Sequence, residues 1–257
     1  SVQNPLFVNT VESDIEVSRA IQKLDVETHQ TAVGDKWILW LAIYHSWKNR
    51  IEKLMPTHGS TKLQILYQDW KNTIEEMKES MSFDALVFTK QCEKILKYLP
   101  KHEQISSIGF VAGSEVSGHS ITKSWSRDSQ QELYSGNGVK SALNTQVAIQ
   151  ALLEKLKPEE YFEHLIQPYP RGIDISFPIY YVNQSLLEPK QEFRVDIAKY
   201  VNQVFTVNWL QVQLIEHNRP EEPQMLFWEI HEADSVIGTI FIRNSGTEDK
   251  LSLYFRG

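Results

Sequence analysis

Leu6-Phe-Val8, then Ser13-Asp-Ile15-Glu-Val17-Ser-Arg-Ala20-Ile21-Gln-Lys-Leu24, then Val26-Glu-Thr-His29: this stretch decides the fold class. The outer two segments are short and strand-like. The middle one repeats apolar residues at helical spacing (Ile15, Val17, Ala20, Ile21, Leu24). Strand, helix and strand in so few residues predict a βαβ unit, because two parallel strands can be joined only by a crossover that returns the chain to its starting end. The fold class expected is therefore α/β.

The next stretch has a different texture. Residues 39–104 hold one Gly and two Pro and read as helix over 40–54, 61–81 and 83–99, with breaks at Pro56-Thr-His-Gly59 and an end at Pro100. The second window lines up Leu63, Leu66, Tyr67, Trp70, Ile74 and Met77 on one face. Such a stripe predicts a helical subdomain packing on itself, with a partner-binding surface as the alternative. Residues 105–257 return to mixed character: a helix over 139–156, a connection marked by Pro158, Pro168 and Pro170, a strand over 173–177, a helix over 193–204, and three or four strands to the end. The domain boundary falls in Pro168-Tyr-Pro-Arg-Gly172, giving domains 1–167 and 168–257.

Composition narrows the function classes. The 257 residues carry 26 basic and 33 acidic side chains, a net charge of −7, and no uninterrupted basic run. No surplus of Lys and Arg is left to neutralise a phosphate backbone, so nucleic acid is not an expected partner. One cysteine, Cys92, excludes an intramolecular disulfide and suits a reducing compartment. The longest apolar run, Trp37-Ile-Leu-Trp-Leu-Ala-Ile-Tyr44, is far short of a membrane span, and Ser-Val-Gln-Asn-Pro5 is no secretory leader. A soluble cytoplasmic protein with no membrane partner is expected.

Three polar loops carry chemistry. Arg243-Asn-Ser245-Gly246-Thr247-Glu248 sits between apolar runs whose alternation after Lys250 predicts a strand. A guanidinium, two hydroxyls and a Gly suit a phosphate dianion, since Arg grips two oxygens while hydroxyls and backbone N–H groups cover the others. From this segment alone, an ordinary polar turn accounts for it equally well. Gly113-Ser-Glu115-Val-Ser117-Gly-His119 follows an apolar run, and a carboxylate two residues from a hydroxyl in extended backbone would point with it at two neighbouring sugar hydroxyls. Thr31-Ala-Val-Gly34-Asp35-Lys36 adds a cation beside a Gly turn.

In this order the loops resemble the C-terminal half of the α-D-phosphohexomutase family (phosphoglucomutase, phosphomannomutase, phosphoglucosamine mutase). Val8-Asn-Thr-Val-Glu-Ser13 and its following helix resemble the family's strand and Ser-containing turn. Thr31 to Lys36 resembles Thr-x-Val-Gly-Asp-Arg/Lys, Ala112 to His119 resembles the sugar loop Gly-Gly-Glu-x-Ser-Gly-His, and Arg243 to Glu248 resembles the phosphate loop Arg-x-Ser-Gly-Thr-Glu. Ser135-Gly-Asn-Gly-Val139 is a weaker match to Gly-Asp-Gly before a helix. Ser114, Asn137, Asn244 and Asp249 depart from the pattern, and the stretch 39–104 stands where the family has a much shorter connection.

The resemblance implies a partial third domain (α/β, mixed sheet) with a helical insertion at about 39–104, followed by an α+β, TATA-box-binding-protein-like fourth domain. It implies sugar recognition by Glu115, Ser117 and His119, and phosphate binding by Arg243, Ser245, Gly246, Thr247 and Lys36. The ligand implied is a hexose phosphate or hexose bisphosphate. The family's phosphoserine loop Thr-x-Ser-His-Asn-Pro and its metal loop Asp-Gly-Asp-x-Asp-Arg have no counterpart in these residues. No catalytic residue and no metal ligand are therefore expected in this chain. Phosphoserine and Mg²⁺ are expected from an N-terminal half, as if the chain began after the metal loop and stopped before the closing helix. The alternative is a non-catalytic phosphosugar sensor or scaffold that uses the helical insertion as its partner surface.

Overall fold

Strand β1 (Leu6–Thr10) is paired in parallel on both edges, to β2 (Glu27–Thr31) on one side and to β3 (Phe110–Ser114) on the other. Two parallel neighbours require two crossovers. Helix α1 (Ile15–Gln22) supplies the first. Helices α2 (Asp35–His58) and α3 (Thr61–Ser80) lie within the second. Two antiparallel strands, β4 (Ser120–Trp125) and β5 (Glu132–Gly136), extend the sheet to the order β2-β1-β3-β4-β5, and helix α4 (Gly138–Leu153) follows. The architecture is thus α/β, with a mixed first sheet. The computed structural model describes residues 5–58, 60–80, 87, 90–91, 94–95, 97–98, 110–116, 119–125, 132–161, 163, 172–208, 212–219, 222–246 and 248–257. No helix among the described residues is long and apolar enough to cross a membrane.

Helix α2 corrects two expectations. It starts at Asp35 rather than at residue 40, and it runs through Pro56 to His58 instead of breaking there. Pro56 lies in the last turn, so the N–H it lacks removes a bond only where the helix is already ending. The early start was hidden because the run 37–44 is apolar on every side, which blurs periodicity. The reason for that all-round apolarity is that α2 is buried on two faces. Ile38 and Ala42 pack on Leu6, Val8 and Ile121 of the sheet. Trp40 belongs instead to a cluster with Leu63, Trp70, Ile74, Met77 and Ile95, against which Tyr44 packs. A stacked aromatic series joins the helices: Trp40 on Tyr44 at 5.8 Å, Tyr44 on Trp70 at 5.6 Å, and Trp70 on Tyr67 at 5.8 Å between ring centroids. The helical stretch is therefore not a separate body that begins at residue 39. The third expected helix, over 83–99, lies largely outside the described residues, as does Cys92.

The chain divides into two compact units, Ser1–Val11 with Ala20–Ile166, and Glu12–Arg19 with Gln167–Gly257. The sequence boundary at 167/168 does not foresee the placement of residues 12–19 in the second unit. That unit holds β6 (Asp174–Tyr180), α5 (Glu192–Asn208), β7 (Val212–His217), β8 (Leu226–Glu232), β9 (Ser235–Asn244) and β10 (Lys250–Arg256). Its sheet is antiparallel throughout, in the order β6-β10-β9-β8-β7. One face, with Leu226, Trp228, Ile230, Ile240, Ile242 and Leu251, packs on Ile197, Ala198, Val201 and Phe205 of α5. On the other, Phe227, Phe241 and Tyr254 form an aromatic row with centroid spacings of 6.4 and 4.5 Å. The strand after Lys250 and the loop before it are as the alternation predicts.

Trp70 is fully buried between Tyr44 and Tyr67. Trp70→Ala should cost about 3–5 kcal/mol of stability through lost burial and the cavity left behind. Ile65→Ala on an exposed position of the same helix should stay within about 0.5 kcal/mol. Urea unfolding of both variants checks the contrast, and equal losses would show that the helices are not packed through their aromatic face.

Candidate functional site

Parallel strands bring their C-terminal ends to one end of a sheet, and that end is where ligands meet open α/β sheets. Here β1, β2 and β3 run the same way, and β5, two antiparallel steps from β3, runs with them. The segments that follow β2, β3 and β5 therefore emerge together: residues 32–34, Glu115 with Val116, and Asn137. These are three of the segments singled out in the sequence.

Gly34 has φ +128°, a conformation that favours glycine, and turns the chain so that Asp35 opens α2. The Trp37 N–H donates to the Gly34 carbonyl at 3.0 Å. β3 and β4 are antiparallel neighbours, and just beyond their last paired residues the Glu115 N–H donates to the His119 carbonyl at 2.9 Å. His119 Nδ1 lies 3.1 Å from Asp35 Oδ2 and 3.4 Å from Glu115 Oε2. A Cβ added to Gly136, at the end of β5, would stand 3.5 Å from the same Asp35 Oδ2. Asn137 caps α4 by accepting from the Lys140 N–H at 3.0 Å. Two carboxylates and an imidazole thus share one small region, with the Glu115 side chain 10% exposed and that of His119 63% exposed.

Asp35 holds its proton above the ordinary aspartate value of 3.8; burial is the main cause, the Glu115 charge and hydrogen bond add to it, and His119 opposes them. Asp35 Oδ1 is buried and makes no hydrogen bond among the described residues. Carboxyl oxygens and an imidazole set this close together offer both acceptors and a donor to neutral hydroxyls. Asp35 was passed over in the sequence in favour of Lys36, although both stand in the same motif. Lys36 is exposed, with its Nζ 4.8 Å from the Trp37 ring centroid. Ser117 lies outside the described residues.

The Arg243 loop joins β9 to β10 within the second unit. The guanidinium is already engaged: Nε donates to Glu222 Oε1 at 2.7 Å and an NH group to Glu12 Oε1 at 3.3 Å. Burial disfavours its charge, but Glu222 and Glu12 outweigh burial and raise its pKa above the usual arginine value. The loop is held by backbone bonds from the Ser245 N–H to the Lys250 carbonyl (2.8 Å) and from the Lys250 N–H to the Glu248 carbonyl (2.7 Å). Gln184 Nε2 donates to the carbonyls of Ser245 (3.2 Å) and Glu248 (2.7 Å). Asn244, one of the departures from the family pattern, is buried and donates to the Gln184 carbonyl at 2.8 Å. A Cβ on Gly246 would meet nothing within 4 Å. Thr247 lies outside the described residues. Glu12 and Glu222 were missed in the sequence, where nothing local ties them to Arg243.

No protein-family model matches this sequence, and no curated protein matches it.

A carboxyl raised in the fold favours the native state at pH below its ordinary value of 3.8 and loses that contribution as pH rises through its folded value. Glu115→Gln should bring the Asp35 titration midpoint down, and His119→Ala should move it further up. Carboxyl carbon-13 shifts followed against pH read both directions. A midpoint indifferent to both substitutions would show that neither Glu115 nor His119 acts on the Asp35 carboxyl.

Proposed function

We propose that this chain is the hexose-phosphate-binding part of a phosphohexomutase. The observation that carries the reading is the meeting of Asp35, Glu115 and His119, from two separate sequence segments, at the end of the sheet where β5 also delivers Gly136. Adjacent sugar hydroxyls need closely spaced acceptors, and two carboxyl groups meeting at one imidazole supply them. Lys36, at the same end of the sheet, and Arg243 with Ser245 and Gly246 in the second unit are the groups suited to phosphate. Glu222 and Glu12 hold Arg243 in the meantime, so an arriving dianion exchanges one carboxylate partner for another anion rather than meeting an unpaired charge. The mixed first sheet and the antiparallel second sheet backed by a helix agree with a sugar-binding α/β domain and a TATA-box-binding-protein-like domain.

The part assigned to this chain is recognition, not chemistry. In the family the phosphoryl group passes through a phosphoserine, and the Ser-His loop that carries it has no counterpart in these 257 residues. Exposed Trp and Leu in the helical stretch would favour the scaffold alternative; among the described residues, Trp40, Leu63 and Trp70 are buried in one cluster.

Calorimetry with glucose 6-phosphate, glucose 1-phosphate and inorganic phosphate tests the reading. Glu115→Gln should weaken both sugar phosphates roughly ten-fold or more and leave inorganic phosphate unchanged, as expected for loss of charge-assisted hydrogen bonds. Arg243→Ala should weaken all three. The purified chain should not interconvert the two sugar phosphates. Absence of sugar-phosphate binding, binding indifferent to Glu115→Gln, or turnover above the blank would each overturn the reading.

A further inference from the structure

Among the described residues, two groups of three potential metal ligands bring their ligand atoms within 4.8 Å of one another. Asp35, Glu115 and His119 belong to the sheet end already described. The other group, His217, Glu229 and His231, lies in the second unit on strands that play no part in the proposed sugar-phosphate reading.

Strand pairing creates this second group. β7 and β8 are antiparallel with Ile215 opposite Glu229, Gln213 opposite His231 and His217 opposite Phe227. Alternation therefore sends His217, Glu229 and His231 to one face, while Leu226, Trp228 and Ile230 go to the core face. Both imidazoles aim Nε2 at the same oxygen: His217 Nε2 is 3.1 Å and His231 Nε2 is 3.0 Å from Glu229 Oε2. Ligand atoms about 2.0–2.1 Å from a tetrahedral ion are separated by about 3.3 Å, so these spacings need to open by only a few tenths of an ångström.

The His217 ring packs against Phe227, with centroids 6.2 Å apart, which orients one of the two imidazoles. We propose that His217, Glu229 and His231 bind a divalent first-row transition ion, with Zn²⁺ as the reference case. Two imidazoles and one carboxylate suit Zn²⁺, Ni²⁺ or Cu²⁺ and not Mg²⁺, which takes oxygen ligands in octahedral geometry. Three protein ligands leave the fourth position to water or to a further ligand. β7 is an edge strand, and the His217 side chain is 40% exposed, so the ion enters from the sheet edge. Bound there, it clasps the edge strand to its neighbour through side chains as well as through the backbone ladder.

The test uses the full chain after chelator treatment and dialysis. Titration with Zn²⁺ should show about one equivalent bound, and Co²⁺ should give the intense visible absorption of a tetrahedral complex. His217→Ala, His231→Ala and Glu229→Gln should each weaken Zn²⁺ binding more than about ten-fold, because each removes one of three ligands. His119→Ala should leave binding unchanged. Circular dichroism establishes that each variant is folded; if His231→Ala fails to fold, exposed His217 and the isosteric Glu229→Gln carry the test. Absence of Zn²⁺ binding by the wild-type chain overturns the assignment. So does undiminished binding by the folded variants, or loss of binding in His119→Ala.

Discussion

With a parallel partner on each edge, β1 cannot be joined to either by a tight turn, so both connections, β1 to β2 and β2 to β3, must climb back over the sheet. This constraint puts helical mass in the β2-to-β3 crossover, which has to pass β1 to reach the far edge. It also aligns the outgoing ends of three strands, so that loops far apart in sequence open side by side. Leu6 and Val8 anchor the arrangement, each at most 1% exposed, clustered with Ile121 of the same sheet and with Ile38 and Ala42 of α2. The gathering of Asp35, Glu115 and His119 is a consequence of strand direction before it is a consequence of side-chain chemistry.

The second unit depends more on arginine. Arg194 donates to the carbonyls of Leu187, Pro223 and Met225. Arg256, nearly inaccessible, donates to the carbonyls of Glu12 and Ile175 and pairs with Asp174. Arg243 bridges Glu222 and Glu12. A planar guanidinium with five donors can satisfy several carbonyls at once, which lysine cannot do with the same geometry. In a chain of net charge −7, these cations are spent on holding segments that are distant in sequence. Arg243 has to serve both as such a tie and as the proposed anion contact.

Strands and helices whose period is clean were legible in the sequence: β1, α1 and β2, the helix after Asn137, and the strands around the Arg243 loop. The start of α2 was not, because a helix covered on two sides shows no polar stripe. Pro56 misled because a helix breaker near the end of a helix breaks little. In the candidate site, Glu115 and His119 were legible as a polar loop, yet the partnership with Asp35 depends on the parallel order of β2, β1 and β3. Likewise Glu229 and His231 stand two apart in the sequence, but only the register of β7 against β8 adds His217. Long-range pairings such as Arg243 with Glu12 leave no local mark.

Helix α2 belongs to two cores at once, with Ile38 and Ala42 in one and Trp40 in the other. A party wall of this kind cannot be taken down from one side. Trimming the chain back from residue 39 to a short loop would leave Leu6 and Val8 without their cover, and removing α3 alone would turn Trp40 and Tyr44 towards water. The helical crossover and the sheet therefore share one fate on unfolding. The sheet relies on the crossover as roofing.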